Sequence, residues 1–347
     1  MDPLLILVVV TAVIVLLFDY TNGFNDAGNI IATVIASRAM TPMQAVLIVG
    51  VFEFLGPLLG GTAVANTIGN FVELGDLDTV LSLSIVLCGL IGAIAWNLTT
   101  WLAGIPSSST HALVGGLVGA ALVSAGSDHV VWGFGELLEH GRLVGVTKLL
   151  AALLLSPMAG FALGFLMLRG MRQLLLAANH AANSRLRTAQ FVTAAGLGFA
   201  HGANDAQKSM GVLTLVLLAG GFIPSFEVPL WVMFACASAM TLGILSGGWR
   251  IVRTLGFAIY RVRPIHALSS QLTSGAVVLG AAFGGMPVST TQVVATSIMG
   301  IGAAEHPRAV RWRKAREIVI AWIFTMPGAA IFAIQVYALF NLYLAKQ

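Results

Sequence analysis

The sequence predicts an all-α polytopic membrane protein built from two inverted-topology repeats, and three observations carry that prediction. Charge is scarce: of 347 residues, 58% are hydrophobic and 9% charged, with a mean hydropathy of +0.92, whereas a soluble domain is about one-quarter charged. The remaining charges are sorted by sign along the chain. Two polar motifs recur in the same order at nearly one offset. The length accommodates roughly eight to twelve apolar segments of about 20 residues with short loops.

The start of the chain carries Asp2 and no Lys or Arg, and no small-residue cleavage site follows Leu17. Leu4 to Phe18 is therefore expected to be the first half of a retained span. The two cysteines, Cys88 and Cys236, lie inside apolar runs and read as packing residues. A net charge of +4 is explained by topology, so no nucleic-acid partner is expected.

Basic residues form three groups: Arg169, Arg172, Arg185 and Arg187; Arg250, Arg253, Arg261 and Arg263; and Arg308, Arg311, Arg313, Lys314 and Arg316. Acids gather elsewhere, as Glu73, Asp76 and Asp78, and as Asp128, Glu136 and Glu139. Short basic loops stay in the cytoplasm. Counting crossings from them places both termini outside. Residues 79–104 with 111–126, and 264–285 with 289–304, are paired apolar arms that begin and end on one side. Each pair is either two spans or a re-entrant hairpin; the fold class adopts the hairpin.

Asp205 in "GANDAQK" lies 179 positions after Asp26 in "GFNDAGN", and Pro287 in "PVSTTQ" lies 181 after Pro106 in "PSSSTH". Two motifs at one offset define an internal repeat. The division expected is residues 1–168 for the first repeat, 169–187 for a basic cytoplasmic linker and 188–347 for the second. By the crossing count the copies are inverted, an architecture of secondary transporters with the site at mid-membrane.

The apolar runs Leu4–Phe18 and Ala189–Ala203 are short of the ~20 residues a span needs. Each reaches that length only if its Asn-Asp motif lies within the membrane. A buried ionised Asp costs about 2.5–3.5 kcal/mol on insertion scales, so two approach ~6 kcal/mol against a typical stability of about 5–15 kcal/mol. Binding a cation or proton would offset that cost. Asp26 and Asp205 are therefore the expected coupling sites, with Asn25, Asn29 and Asn204 as neutral oxygen ligands. Gly23, Gly28, Gly198 and Gly202 are expected to unwind each helix there, making it discontinuous.

In "GIPSSSTH" and "GMPVSTTQ" a Pro precedes a run of hydroxyls, and Pro suits the first helical turn. Free N–H groups, the positive helix end and hydroxyls make an anion cradle. Ser108, Ser109 and Thr110 from one copy, with Ser289, Thr290 and Thr291 from the other, are expected to enclose a tetrahedral oxyanion. His111 and Gln292 hold equivalent positions beside them and are expected to join the phosphate-binding set, His111 as a donor to the anion or a proton carrier; a satisfied structural histidine is the alternative. A Ser-His-Asp hydrolase would need a base in the second copy, where Gln292 stands, so no enzyme is predicted. No cofactor and no resident metal are expected.

At these residues the chain resembles the inorganic phosphate transporter (PiT) family, through "GFNDAGNIIATVI", "FEFLGPLLGG", "GIPSSSTHALVGG", "HGANDAQKSMG" and "GMPVSTTQVV". The resemblance covers both copies. It implies cation-coupled phosphate uptake, inverted repeats, re-entrant hairpins and, in many members, a homodimer. It implies essential acids at Asp26 and Asp205 and a further acid at Glu53, which is also a lone charge in an apolar span. Sodium-coupled members tend to have Asn where Lys208 stands and Glu where Gln271 stands. Both departures resemble the bacterial low-affinity, proton-coupled branch of the cytoplasmic (inner) membrane, whose cargo can be a neutral complex of phosphate with a divalent metal. The Lys208 ammonium would then replace a sodium ion beside Asp205; the alternative is a lysine snorkelling to the surface. Sodium coupling, sulfate transport and an anion channel stay open as alternatives. Sulfate carries no proton at neutral pH, while phosphate exchanges one near pH ~6–7.

Overall fold

A computed structural model describes residues 2–179 and 181–344. The helices are α1 (Pro3–Ala36), α2 (Pro42–Leu59), α3 (Ala63–Gly69), α4 (Thr79–Leu102), α5 (Ser109–Ser124), α6 (Phe134–His140) and α7 (Gly145–Leu174). They continue as α8 (Ala182–Ala219), α9 (Leu230–Ser246), α10 (Trp249–Arg253), α11 (Pro264–Phe283), α12 (Thr290–Glu305) and α13 (Trp312–Leu344). Among the described residues the only β pairing is an isolated bridge between Val72 and Val130. The predicted all-α membrane class therefore holds. Helices α1, α2, α4, α7 and α13 are each long and apolar enough to cross a bilayer. Cys88 and Cys236 are buried free thiols, as expected.

The helices pack by exchange between the two copies. Helix α1 packs on α9 and α8 on α2; the α4–α5 hairpin lies against α13, and the α11–α12 hairpin against α7. The first helix of each copy also packs on its own hairpin, α1 on α4 and α8 on α11. Each hairpin tip is latched by a threonine from the opposite copy. Thr254 donates to the Gly104 carbonyl at 3.0 Å, and Thr67 donates to the Gly285 carbonyl at 2.7 Å. Gly104 and Gly285 turn the two tips at φ of +67° and +60°, where side chains with a Cβ are disfavoured.

Two expectations are corrected, and the helix bounds near the linker are now known. The Asn-Asp helices are continuous: α1 and α8 run unbroken through their motifs. The motif glycines let helices touch rather than unwind. A Cβ on Gly23 would fall 2.2 Å from the Met240 carbonyl oxygen of α9, and one on Gly202 would fall 2.2 Å from the Glu53 carbonyl oxygen of α2. Small residues at such crossings admit close backbone approach, which supplies dispersion contacts in a membrane. Neither Pro106 nor Pro287 starts a helix. Ser108 and Ser289 are the N-caps, in extended conformation, accepting from the backbone N–H groups of His111 at 3.2 Å and Gln292 at 3.4 Å. A capping hydroxyl satisfies a free N–H of the first turn, and the residue before a proline is held out of the helical region. Finally, α7 extends to Leu174 and α8 starts at Ala182. Residues 169–174 and 182–187 of the expected linker are thus helical, and His180 falls outside the described residues.

Gly23→Ala and Gly202→Ala are each expected to destabilise the protein by about 1–3 kcal/mol through overpacking against main chain. Gly196→Ala, with open space around it, is expected to be neutral or stabilising. Thermal unfolding in detergent compares them.

Candidate functional site

Asp26 sits about two-thirds of the way along α1 and is fully buried. Its Oδ1 accepts from Asn29 Nδ2 at 2.6 Å and from Thr291 Oγ1 at 3.0 Å, and its Oδ2 accepts from Ser109 Oγ at 3.2 Å. Asp205 on α8 is also buried. Its Oδ1 accepts from Thr290 Oγ1 at 3.0 Å, and its Oδ2 lies 2.9 Å from Lys208 Nζ. The two hairpin tips thus meet over the two Asn-Asp motifs, where Thr110 Oγ1 also donates to the Val288 carbonyl at 3.1 Å. Such a cluster is tolerable in hydrocarbon only because nearly every charge has a partner.

The contacts follow the repeat. Ser109 bonds Asp26, and its counterpart Thr290 bonds Asp205. Asn29 Nδ2 bridges Asp26 and Thr291 of the other copy's hairpin, at 2.6 and 2.7 Å. Lys208, the counterpart of Asn29, bridges Asp205 and Thr110 of the other hairpin, with Nζ 2.9 and 2.6 Å away. It also donates to the Val288 carbonyl at 2.8 Å. Lys208 is 1% exposed, so it does not snorkel. One topology of contacts is kept, with an amide in one copy and an ammonium in the other.

Glu53 enters from α2, its Oε1 2.6 Å from His201 Nδ1. His201 Nε2 lies 3.7 Å from Asp26 Oδ2 and 3.8 Å from Asp205 Oδ2. One buried imidazole therefore faces three carboxyl groups. Sequence reasoning missed His201, although it directly precedes the Gly-Ala-Asn-Asp motif. Asp19 was missed as well. It is fully buried and accepts from Ser209 Oγ at 2.8 Å. A lone acid in an apolar run was the signal that singled out Glu53, and it applied equally to Asp19. Asn22, with both side-chain polar atoms buried and unpartnered, lies one turn further on.

Four expected site residues are placed otherwise. Asn204 does not offer a free oxygen: its Oδ1 accepts from Val288 N at 3.3 Å and its Nδ2 donates to the Met286 carbonyl at 3.0 Å. It clamps the second hairpin tip, because the backbone there needs partners that the helix does not supply. Gln271 contacts neither aspartate; it bonds Thr193 at 2.5 Å and Thr33 at 3.2 Å. His111 and Gln292 line an apolar cleft of about 780 Å³ between α7, α12 and α13, and their side chains make no hydrogen bond among the described residues. Successive residues on a helix point about 100° apart, so a face that presents Ser109 and Thr110 to the centre turns the next residue away. Asn25 and Asn29 each keep a buried Oδ1 without a hydrogen-bond partner, as a cation ligand requires. Ser108 and Ser289 are present at the tips as caps.

The sequence profile of the phosphate transporter family matches residues 22–333. The chain belongs to that family. As a member it is a multi-pass membrane transporter and not an enzyme, and phosphate is the family's substrate. The transporter is 40% identical to the probable low-affinity inorganic phosphate transporter of Bacillus subtilis (strain 168), over 99% of each chain. It is 40% identical to the protein of the same description from Rhizobium meliloti (strain 1021), over 96% of each. A solved structure titled "The sodium-dependent phosphate transporter" has the same fold, with a TM-score of 0.85 at 23% identity over 97% of this chain and 99% of that one.

Removing the Lys208 charge leaves Asp205 buried without its counter-ion, which typically costs about 3–5 kcal/mol. Lys208→Met is therefore expected to lower the unfolding temperature strongly. The double variant Asp205→Asn/Lys208→Met is expected to recover at least half of that loss. Thermal unfolding of the two single variants and the double variant measures this coupling.

Proposed function

We propose that this transporter imports inorganic phosphate by symport with protons across a bacterial cytoplasmic membrane. The observation that carries the proposal is Lys208 in the place of Asn29's counterpart, ion-paired with Asp205 and bonded to Thr110. A tethered ammonium occupies the ground a sodium ion would take beside Asp205, leaving protons as the mobile charge. Among the described residues Asp26, Glu53 and Asp205 have only His201 and Lys208 as buried basic partners, and Asp19 is buried with Ser209 as its donor. With more acidic than basic side chains in a low-dielectric interior, the site needs a mobile cation or proton for charge balance.

The hydrogen bonds suggest how coupling would run. Ser109, Thr290 and Thr291 donate to the aspartates. A protonated carboxyl group no longer demands those donors, so the same hydroxyls can turn to phosphate oxygens. His201, within reach of Asp26, Asp205 and Glu53, would pass protons among them. The reciprocal packing of the two copies supports an inverted repeat with alternating access, both termini outside and the basic loops in the cytoplasm.

A divalent metal travelling with phosphate is supported by one further feature. Ligand atoms of Asp26, His201 and Asp205 lie within 4.8 Å of one another. Sodium at the first copy is the second reading, and the unpartnered Oδ1 atoms of Asn25 and Asn29 beside Asp26 favour it. The homodimer that the family resemblance implies would leave both copies of the site whole within each chain.

Labelled phosphate uptake into proteoliposomes separates these readings. Accumulation is expected under an inward proton gradient with choline replacing sodium, and is expected to fall at least tenfold in Asp26→Asn and Asp205→Asn. Strict dependence on sodium would overturn proton coupling, and unchanged uptake in both variants would remove the coupling role. Loss of uptake on chelating divalent metals is expected if the metal complex is the cargo. Inhibition by equimolar sulfate would favour the sulfate reading.

A further inference from the structure

At the end of the molecule where α1 finishes, Arg38, Arg261, Arg263 and Arg311 line one cleft of about 590 Å³ with Ser37 and Tyr260. Topology alone places arginines in loops on this side. It does not explain their convergence on one cleft. Arg311 is aimed by main chain, donating to the Phe257 and Ala258 carbonyls at 3.2 and 3.4 Å. Arg38 is the single described non-glycine residue with a positive φ, at 56°. Residues other than Gly, Asn and Asp rarely adopt that conformation, and strain of this kind gathers at functional sites. The nearby acid, Glu305, is taken up by Arg172 at 2.8 Å and His266 at 2.5 Å, with Arg263 at 3.7 Å. Arg38 and Arg261 make no ion pair among the described residues.

A buried polar ladder leads from this cleft toward the central site. Asp26, Asn29 and Thr33 on α1 and Ser37 at its C-cap recur every three or four residues along one face. Ser37 donates to Gln190 Oε1 at 2.8 Å, and Gln271 donates to Thr33 at 3.2 Å and to Gln190 at 3.4 Å. Thr33, Gln190 and Gln271 are each 1% exposed or less. The counterparts of Thr33 and Ser37 in α8, at the same offset of 179, are Val212 and Val216, both buried. The ladder therefore exists in one copy only and is not a consequence of the repeat. It also gives Gln271 a place that the central site did not.

We infer that the arginine cleft is a second phosphate subsite on the transport path, holding inorganic phosphate at the basic-loop end before or after it passes along the Thr33–Gln271–Ser37 ladder. The inference rests on the phosphate-transport reading. Guanidinium groups suit it, because they bind phosphate oxygens in a bidentate fork and stay charged at all relevant pH values. A lipid phosphodiester has the same chemistry, so the test has to separate the two sources.

The test is phosphate transport by the full chain in right-side-out and inside-out vesicles, comparing wild type with Arg38→Gln/Arg261→Gln. The KM for phosphate at the basic-loop face is expected to rise at least fivefold more than the KM at the opposite face. Arg38→Lys/Arg261→Lys, which keeps the charge, is expected to recover most of the change. The asymmetry should persist in pure phosphatidylcholine vesicles. Equal KM changes at both faces, no change at either, or an effect confined to vesicles containing anionic lipid would each overturn the inference. Wild type that moves no phosphate at all would instead overturn the functional reading.

Discussion

Two aspartates deep in a hydrocarbon-embedded bundle must be satisfied, and the donors within reach are the hydroxyls at the hairpin tips. Asp26 takes Ser109, Thr291 and Asn29; Asp205 takes Thr290 and Lys208. Because an unpartnered charge there would cost several kcal/mol, this requirement draws both tips onto both long helices. The rest of the architecture serves it. Glycine contacts seat each aspartate-bearing helix closely on a helix of the other copy, α1 on α9 and α8 on α2. The threonine latches on Gly104 and Gly285 fix how far each tip reaches.

The two copies agree in most contacts and differ in a few, and the differences carry functional meaning. Position 29 of the first copy and position 208 of the second bridge an aspartate to the opposite hairpin in the same way, yet only one of them is charged. A fixed ammonium beside Asp205 makes that half self-sufficient, while the Asp26 half keeps amide oxygens without partners. The polar face of α1 below Asp26, against valines in α8, breaks the symmetry again. A carrier that must face two compartments of different composition has reason for its two pathways to differ.

Much of this was legible in the sequence. The membrane class followed from the charge deficit, and the meeting of the Asn-Asp and Pro-Ser-Thr motifs followed from their shared offset. The errors have physical causes. Glycines in a motif were read as helix breakers, whereas Gly23 and Gly202 face main chain of a neighbouring helix; sequence does not show what lies opposite a glycine. His111 and Gln292 were grouped with the hydroxyls because they are adjacent in sequence, but one residue along a helix turns the side chain by about 100°. Gln271 was judged by the residue it replaces rather than by what it touches. His201 went unnoticed because a lone histidine carries no signal until Glu53, 148 positions away, is seen beside it, whereas Asp19 carried the same lone-acid signal as Glu53 and was passed over.

The central claim is that protonating the buried aspartates hands the hairpin hydroxyls from carboxylate to phosphate. Infrared difference spectroscopy of the purified protein, with phosphate minus without, reads this directly. A carbonyl band from newly protonated carboxylic acid is predicted to appear on phosphate binding and to weaken in Asp26→Asn and in Asp205→Asn. Saturable phosphate binding with no such band would contradict the account.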